Sequence, residues 1–386
     1  MKKLALVTII GLILSGCGGG GSSDSGSTPK PDIKPETKPA LVEGTIDKVN
    51  GSNIIVNGRS YQVASVNYAN TPLADGVSVL KPQMMVQVSD VARAGATVFL
   101  DPTLLGKVTA VNHTTNTFTV NGVELSFAQL NKEIEINDWV MVSALPMATE
   151  TGVGYKVLSV IEVENTDLAG KYELEGTLSQ LDSAASTFKL GQVVVDYANI
   201  QLEPTIGNGD WVEVTGQMSD GSFVATEVEV DNYDDNEDFD DAEIEGVVTW
   251  INKEKTLFTL NARGQFVIDN STRFEDGSRN NLKTGELVEV TAINGVAKEI
   301  EFDRDHDGDH EQGTWHEFDA EGIVSNVMNS TITLDTFNGA SQTIYVDNMT
   351  RYEDRLTPAT LTGKRVEIEG IVRGGQKIAR EIELED

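Results

Sequence analysis

Residues 242–267, AEIEGVVTWINKEKTLFTLNARGQFV, constrain the fold more than any other stretch. Val247 and Thr249 alternate with Val248 and Trp250, a polar segment Asn252-Lys253-Glu254-Lys255 follows, and Leu257-Phe258-Thr259-Leu260 resumes the extended pattern. Apolar alternation at a period of two, rich in β-branched and aromatic residues and broken by a polar turn, marks a β-hairpin. The hairpin recurs five times. Its opening glycine is Gly44, Gly106, Gly176, Gly246 and Gly322, at spacings of 62, 70, 70 and 76 residues. Self-similarity at a near-constant period identifies an array of small modules.

Three further columns keep their order within each unit. A turn closes the second strand: Asn57-Gly58, Asn121-Gly122, Leu190-Gly191, Ala262-Arg263-Gly264 and Asn338-Gly339. Asn-Gly accepts positive φ at both central positions of a type I′ turn. A later strand reads Asn137 to Val142, Gly209 to Val214, Gly285 to Val290 and Gly363 to Ile368, with Gln83 to Val88 in the first unit. A closing strand covers Lys156 to Val163, Val224 to Val230, Ala297 to Phe302 and Ala379 to Leu384, and Thr97 to Leu100 in the first unit. Five short strands in some sixty residues need closure to protect their edges, and a small OB-like barrel supplies it. A β-solenoid coil of about 20–30 residues is too short for this period. The expectation is an all-β chain of five tandem OB-like five-stranded barrels. They are arranged as beads in series that touch their sequence neighbours through junctions such as Asp101-Pro102-Thr103.

The combined pattern, x-G-x-[VI], T-F-x-[VL]-N-G, G-x-x-V-x-V-x-G and A-x-E-I-E, resembles a family of bacterial domains of unknown function found in tandem in lipoproteins. The resemblance runs over residues 41–386 and is strongest in the third to fifth units. It implies OB-like barrels and carries no established activity, so it informs the fold and not the mechanism.

The N-terminus reads as an export and lipidation signal. Met1-Lys2-Lys3 is basic, Leu4 to Leu14 is apolar over 11 residues, and a membrane-spanning helix needs about 20. Leu14-Ser15-Gly16-Cys17 resembles a lipobox, and Cys17 is the only cysteine in the 386-residue chain. The expected boundaries are a signal peptide over 1–16, a lipidated Cys17, and a Gly/Ser/Pro tether over 17–40. Acyl chains at Cys17, each adding about 0.8 kcal/mol per buried CH₂, hold a protein at a bilayer without a transmembrane helix. Gly18 in place of an aspartate points to the outer membrane, and the tether stands the first barrel off the surface. The barrels are expected at 41–103, 104–165, 172–230, 242–302 and 320–386.

The formal net charge of −32 disfavours nucleic acid, whose phosphates require a basic face. An envelope protein or glycan is the expected partner beside the membrane. Two acidic junctions carry much of this charge. Asp231 to Glu245 holds nine carboxylates and no base, and its first part, 231–241, reads as a solvated linker extended by self-repulsion. The second junction, over 303–319, contains Asp303-Arg304-Asp305-His306-Asp307-Gly308-Asp309-His310-Glu311. Acids at positions one, three and five with glycine at six match the opening of an EF-hand-type calcium loop. Asp303, Asp305 and Asp307 would offer carboxylates, Asp309 its carbonyl, and Glu311 a water-mediated contact. Thr314 stands where the bidentate glutamate belongs, which places the affinity for Ca²⁺ in the extracellular range of about 10⁻⁴–10⁻³ M.

His306, His310 and His316 share this segment and suit a transition metal better than calcium, which makes a metal-handling protein the alternative. Trp139 and Trp211 occupy one column and read as barrel core; His113 reads as an inert turn residue. The sequence holds no G-x-S-x-G, Walker loop or H-E-x-x-H motif, and the paired carboxylates of its junctions lack the apolar setting that acid catalysis needs. A non-enzymatic, lipid-anchored binding or scaffold protein with a calcium-stiffened junction is the expectation.

Overall fold

The computed structural model describes residues 40–69, 71–91, 95–149, 152–163, 168–233, 241–302 and 316–385. These residues form five groups of strands. The first contains β1 (Leu41–Asn50), β2 (Asn53–Val56), β3 (Arg59–Tyr68), the two-residue β4 (Thr71–Pro72), β5 (Met85–Val91) and β6 (Gly95–Leu100). The second contains β7 (Leu104–Asn112), β8 (Thr117–Val120), β9 (Val123–Ser126), β10 (Trp139–Thr149) and β11 (Gly152–Glu162). The third contains β12 (Tyr172–Asp182), β13 (Thr187–Leu190), β14 (Val193–Asp196), β15 (Trp211–Ser219) and β16 (Ser222–Val230). The fourth runs β17 (Asp241–Ile251), β18 (Leu257–Leu260), β19 (Gly264–Val267), β20 (Arg273–Glu275), β21 (Leu287–Ile293) and β22 (Val296–Phe302). The fifth runs β23 (Glu317–Met328), β24 (Thr331–Thr336), β25 (Ser341–Tyr345), β26 (Arg351–Tyr352), β27 (Arg365–Arg373) and β28 (Gln376–Leu384). The all-β, five-barrel expectation holds.

Closure follows one scheme. In barrel three β12 pairs antiparallel with β13 and β15, β13 with β14, β15 with β16, and a parallel ladder from β14 to β16 completes the ring. Barrels one, four and five close in the same order, by β3–β6, β19–β22 and β25–β28. Barrel two carries β7–β8, β8–β9, β7–β10 and β10–β11, and among the described residues has no ladder between β9 and β11. In every unit the first strand shifts register shortly after its opening glycine, as between Ile46 and Lys48 or Val248 and Trp250. Such a bulge bends the strand so that its two halves serve different partners around a tight ring. Gly216 and Gly370 sit at a second shift, where an added Cβ would lie 2.2 and 2.1 Å from the carbonyl oxygens of Val224 and Ile378. This contact explains the last glycine of the G-x-x-V-x-V-x-G column.

The opening glycine has its own steric reason. A Cβ on Gly44, Gly106 or Gly246 would meet the side-chain oxygen of Asn57, Asn121 or Asn261 at 2.0, 2.1 and 2.4 Å. Those asparagines lead turns in which Asn57 and Gly58, Asn121 and Gly122, and Asn261 and Ala262 all have positive φ. Asn261 Oδ1 accepts the Val247 N–H at 2.9 Å, and its Nδ2 donates to the Glu245 carbonyl at 3.2 Å. In barrels one, two and four the two sequence columns are thus the two halves of one contact, the turn folding back over the glycine, whereas Gly176 faces the Tyr155 hydroxyl and Gly322 the Asp335 carbonyl.

The cores lie inside the rings. Val140, Val142, Val212 and Val214 point into the joined cores of barrels two and three, and Val288 and Val290 into barrel four. Trp139 and Trp211 alternate with these valines and face outward, which corrects the barrel-core expectation: Trp139 meets Tyr172 edge-on at 4.8 Å, and Trp211 donates to Glu175 Oε2 at 3.4 Å. Trp250 also lies between barrels, clustered with Leu257 and with Ile371 and Ile378 of barrel five. His113 is tied to the Ile134 carbonyl at 3.0 Å.

Contacts are not confined to sequence neighbours. β1 pairs in parallel with β17, joining barrel one to barrel four, and β7 pairs with β12, joining barrels two and three. Barrels one and four therefore share one sheet and barrels two and three another, while barrel five keeps its own six-stranded sheet and packs on barrel four through side chains, which corrects the picture of beads in series. We predict that Gly246→Ala destabilises the protein by about 1–3 kcal/mol through overpacking against Asn261. Asn261→Gly, which tolerates the positive φ, should recover part of that loss in a double-mutant cycle read by thermal or denaturant unfolding. Strictly additive effects would rule out the contact.

Candidate functional site

The ladder between β1 and β17 brings the opening strands of barrels one and four side by side, so each presents its glutamates to the other. The turn asparagine is followed in both barrels by an arginine: Asn57-Gly58-Arg59 and Asn261-Ala262-Arg263. Arg263 Nη1 reaches both carboxylate oxygens of Glu43 at 3.0 Å, and Arg59 Nε reaches Glu243 Oε1 at 3.0 Å. The exchange is reciprocal, barrel four donating to barrel one and the reverse. Thr45 adds its N–H and hydroxyl to Glu245 Oε2 at 2.7 and 2.9 Å.

Glu43 is fully buried, and burial of a carboxylate is tolerable only with partners that answer its charge. Tyr233 donates its hydroxyl to Glu43 Oε1 at 2.7 Å and receives Asn261 Nδ2 at 2.9 Å. The Arg263 guanidinium lies 4.8 Å from the Tyr233 ring centroid, donates from Nε to the Asp231 carbonyl at 2.6 Å, and pairs with the Asp231 carboxylate. Asp231, Asn232 and Tyr233 were expected to begin a solvated linker. Instead they are packed, with Asn232 Oδ1 accepting the Trp211 N–H at 2.6 Å and Tyr233 only 5% exposed. Charge density misled here because Asp231 and Tyr233 answer a buried arginine and Asn232 is bonded to Trp211 and Asp210.

More carboxylates converge on the same region. Asp101, Glu175 and Asp231 each bring one oxygen within 4.8 Å of the others. Glu173 accepts the Tyr68 hydroxyl, and Lys171 lies 4.9 Å from the centre of that tyrosine ring. Burial pushes Glu173 and Glu175 well above the usual carboxylate range, and neighbouring acids push further. Glu43 is pushed up to about 7, by burial first and against the pull of Arg263, and Glu213 to about 7 by burial and then Asp101. Glu289, beside Glu243, rises to about 10 through burial and that neighbour's charge. An all-oxygen trio of this kind suits a hard cation, but Arg263 already supplies a positive charge at Asp231, so the region holds together on its own groups. Its chemistry is that of a polar clasp.

The residues singled out from sequence fall elsewhere. Cys17, Asp303, Asp305, Asp307, Asp309, Glu311, His306 and His310 lie outside the described residues. His316 is exposed immediately before β23, where its carbonyl accepts the Val372 N–H at 2.7 Å. Sequence reading missed Glu43, Asp231, Tyr233 and Arg263. The signal for two of them was present, since glutamate precedes the opening glycine in four units and an Asn-x-Arg turn occurs in barrels one and four.

The raised carboxyls set the sign of the pH response. The folded chain holds protons on Glu43 and Glu213 up to about pH 7, whereas the unfolded chain releases them above about 4.3. The folded state binds more protons across that window, so stability falls as pH rises through it. Thermal unfolding at pH 5 is expected roughly 5 °C above that at pH 8. An equal or higher midpoint at pH 8 would contradict the burial of these groups as acids.

Comparison with curated protein sequences returns no match. Among solved structures, drosophila Unr CSD456 is similar at 15% identity over 55% of this chain and 96% of its own, with a TM-score of 0.14. A multidomain protein with nucleic acid binding domains from Streptococcus pneumoniae TIGR4 is similar at 12% identity over 55% of this chain and 73% of its own, also with a TM-score of 0.14. Scores this low carry no conclusion about fold or partner. The family comparison is informative. Residues 175–229, 245–301 and 321–383, the bodies of barrels three, four and five, match in tandem the family described as a domain of unknown function (DUF5666).

Proposed function

We propose that this chain is a non-enzymatic, lipid-anchored scaffold and binding protein of the bacterial cell envelope, held at the outer membrane through Cys17. The observation that carries the scaffold reading is the clasp itself: Glu43, Asp231 and Tyr233 are spent on Arg263. Carboxyls with raised proton affinity mark candidate acid catalysts. Here Glu43 binds barrel one to barrel four, and that structural use favours an architectural role over a reactive one. The acidic surface favours an envelope protein or glycan as partner over nucleic acid. Calcium bound by Asp303, Asp305, Asp307, Asp309 and Glu311 stiffens the approach to barrel five in this proposal, on the strength of the D-x-D-x-D-G spacing alone.

Two measurements test it. Cys17→Ala is expected to move the protein from the membrane fraction to the soluble fraction of expressing cells; an unchanged distribution would remove the anchor. Millimolar Ca²⁺ is expected to raise the thermal midpoint of the full chain by a few degrees, and Asp305→Ala to abolish the rise. No calcium response, or a response removed by Asp101→Asn and kept by Asp305→Ala, would remove the loop from the proposal.

A further inference from the structure

The seam where barrels two, three and five meet contains a cation with no counter-charge. Arg373 is the last residue of β27, and its guanidinium makes no hydrogen bond or ion pair among the described residues; its Nε is buried without a partner. The nearest acid does not serve it. Asp347 is held by Arg380, Nη1 to Oδ1 at 3.0 Å, and both side chains are almost fully buried. Burial, and then the charge of Arg380, draw Arg373 down to about 10, with Asp347 opposing. It stays cationic at neutral pH, at a cost that an anion would offset.

Arg373 borders two adjoining spaces that also share Ser179 and Gly191, the second of them lined as well by Asp347, which is paired with Arg380. The inner one is a recess of about 40 Å³ walled by Tyr155, Thr177 and Trp211. The Thr177 hydroxyl there is buried and has no hydrogen-bond partner, while the Tyr155 hydroxyl is fixed on the Glu175 carbonyl at 2.6 Å. The outer one is a groove of about 320 Å³ bordered by Gln180, Lys189, Gln192 and Gln376, with Leu178 and Ile378 as apolar lining. That volume lies in the range of small-ligand sites, about 300–1,000 Å³. The recess has room for a water-sized group, and its two orphaned polar atoms are a donor and a hydroxyl.

We infer that this seam binds the carboxylate of a sugar acid, with the carboxylate against Arg373 and Thr177 and the hydroxylated ring in the outer groove. A guanidinium matches a planar carboxylate through paired N–H donors. The amides of the groove offer donors and acceptors to ring hydroxyls, and Lys189 adds a second positive charge. The chain's net charge of −32 works against a multiply charged phosphate more than against a single carboxylate. The inference does not rest on the lipid anchor or the calcium loop.

Titration calorimetry on the full chain with glucuronate, glucose and inorganic phosphate tests the assignment. Glucuronate is expected to bind at least roughly tenfold more tightly than glucose or phosphate, and Arg373→Gln to lose at least about tenfold of that affinity. Thermal unfolding of Arg373→Gln should show a folded protein, because the half-buried guanidinium makes no hydrogen bond or ion pair among the described residues that the substitution would break. Should it fail to fold, Lys189→Gln and glucuronate-induced amide shifts at residues 177–179 of the unaltered protein give the same readout. No glucuronate binding at millimolar concentration, equal affinity of the variants, shifts elsewhere only, or phosphate binding as tight as glucuronate would overturn the inference.

Discussion

The side-chain amide that folds back onto the opening strand fixes much of this architecture. Asn57, Asn121 and Asn261 lie over Gly44, Gly106 and Gly246 at distances that leave no room for a Cβ. Once Asn121 is seated there, its Nδ2 donates to the Leu105 carbonyl of its own barrel at 2.9 Å and also reaches the next barrel, donating to the Glu173 carbonyl at 2.6 Å. Seating Asn261 likewise delivers Arg263, two residues on, to the glutamate of barrel one. A local steric fit thereby becomes a long-range connection, and the same residues explain the repeat and the assembly.

Burial on both faces is the second constraint. In β17, ten of eleven residues are buried or half-buried, although the sequence alternates as a half-exposed strand would. Thr249 and Trp250 are both inside, one toward its own hairpin and the other toward barrel five. Polar residues on the outer faces are therefore buried by neighbouring barrels, and each needs a partner. The glutamates meet that need by pairing with arginine or by holding a proton, and the balance between the two accounts for their raised proton affinity.

The fold was legible because its signals are local. Positive-φ turn residues, period-two strands and a fixed order of columns sit within sixty residues and do not depend on what lies across the molecule. The clasp was much less legible. Whether Asp231 meets solvent or an arginine depends on β1 docking beside β17, and nothing in DNYDDNEDFDD reports that event. The tryptophan column shows the same limit: its position in the strand was correct, but the side it faces is set by neighbours. Arg373 gave no motif at all, since its distinction is the engagement of Asp347 by another arginine.

The pairing of Leu41, Val42 and Glu43 with Ala242, Glu243 and Ile244 has a consequence for how the molecule is made. Thr45 and its acceptor Glu245 are 200 positions apart. Whether the chain emerges from a ribosome or from a membrane pore, the second partner arrives some 200 residues after the first. Through that interval the earliest ring presents an unzipped margin bearing an acid built for concealment. Assembly thus has a late, topologically distant closing step, and a chain cut short before the fourth ring would carry a permanently open seam prone to mispairing.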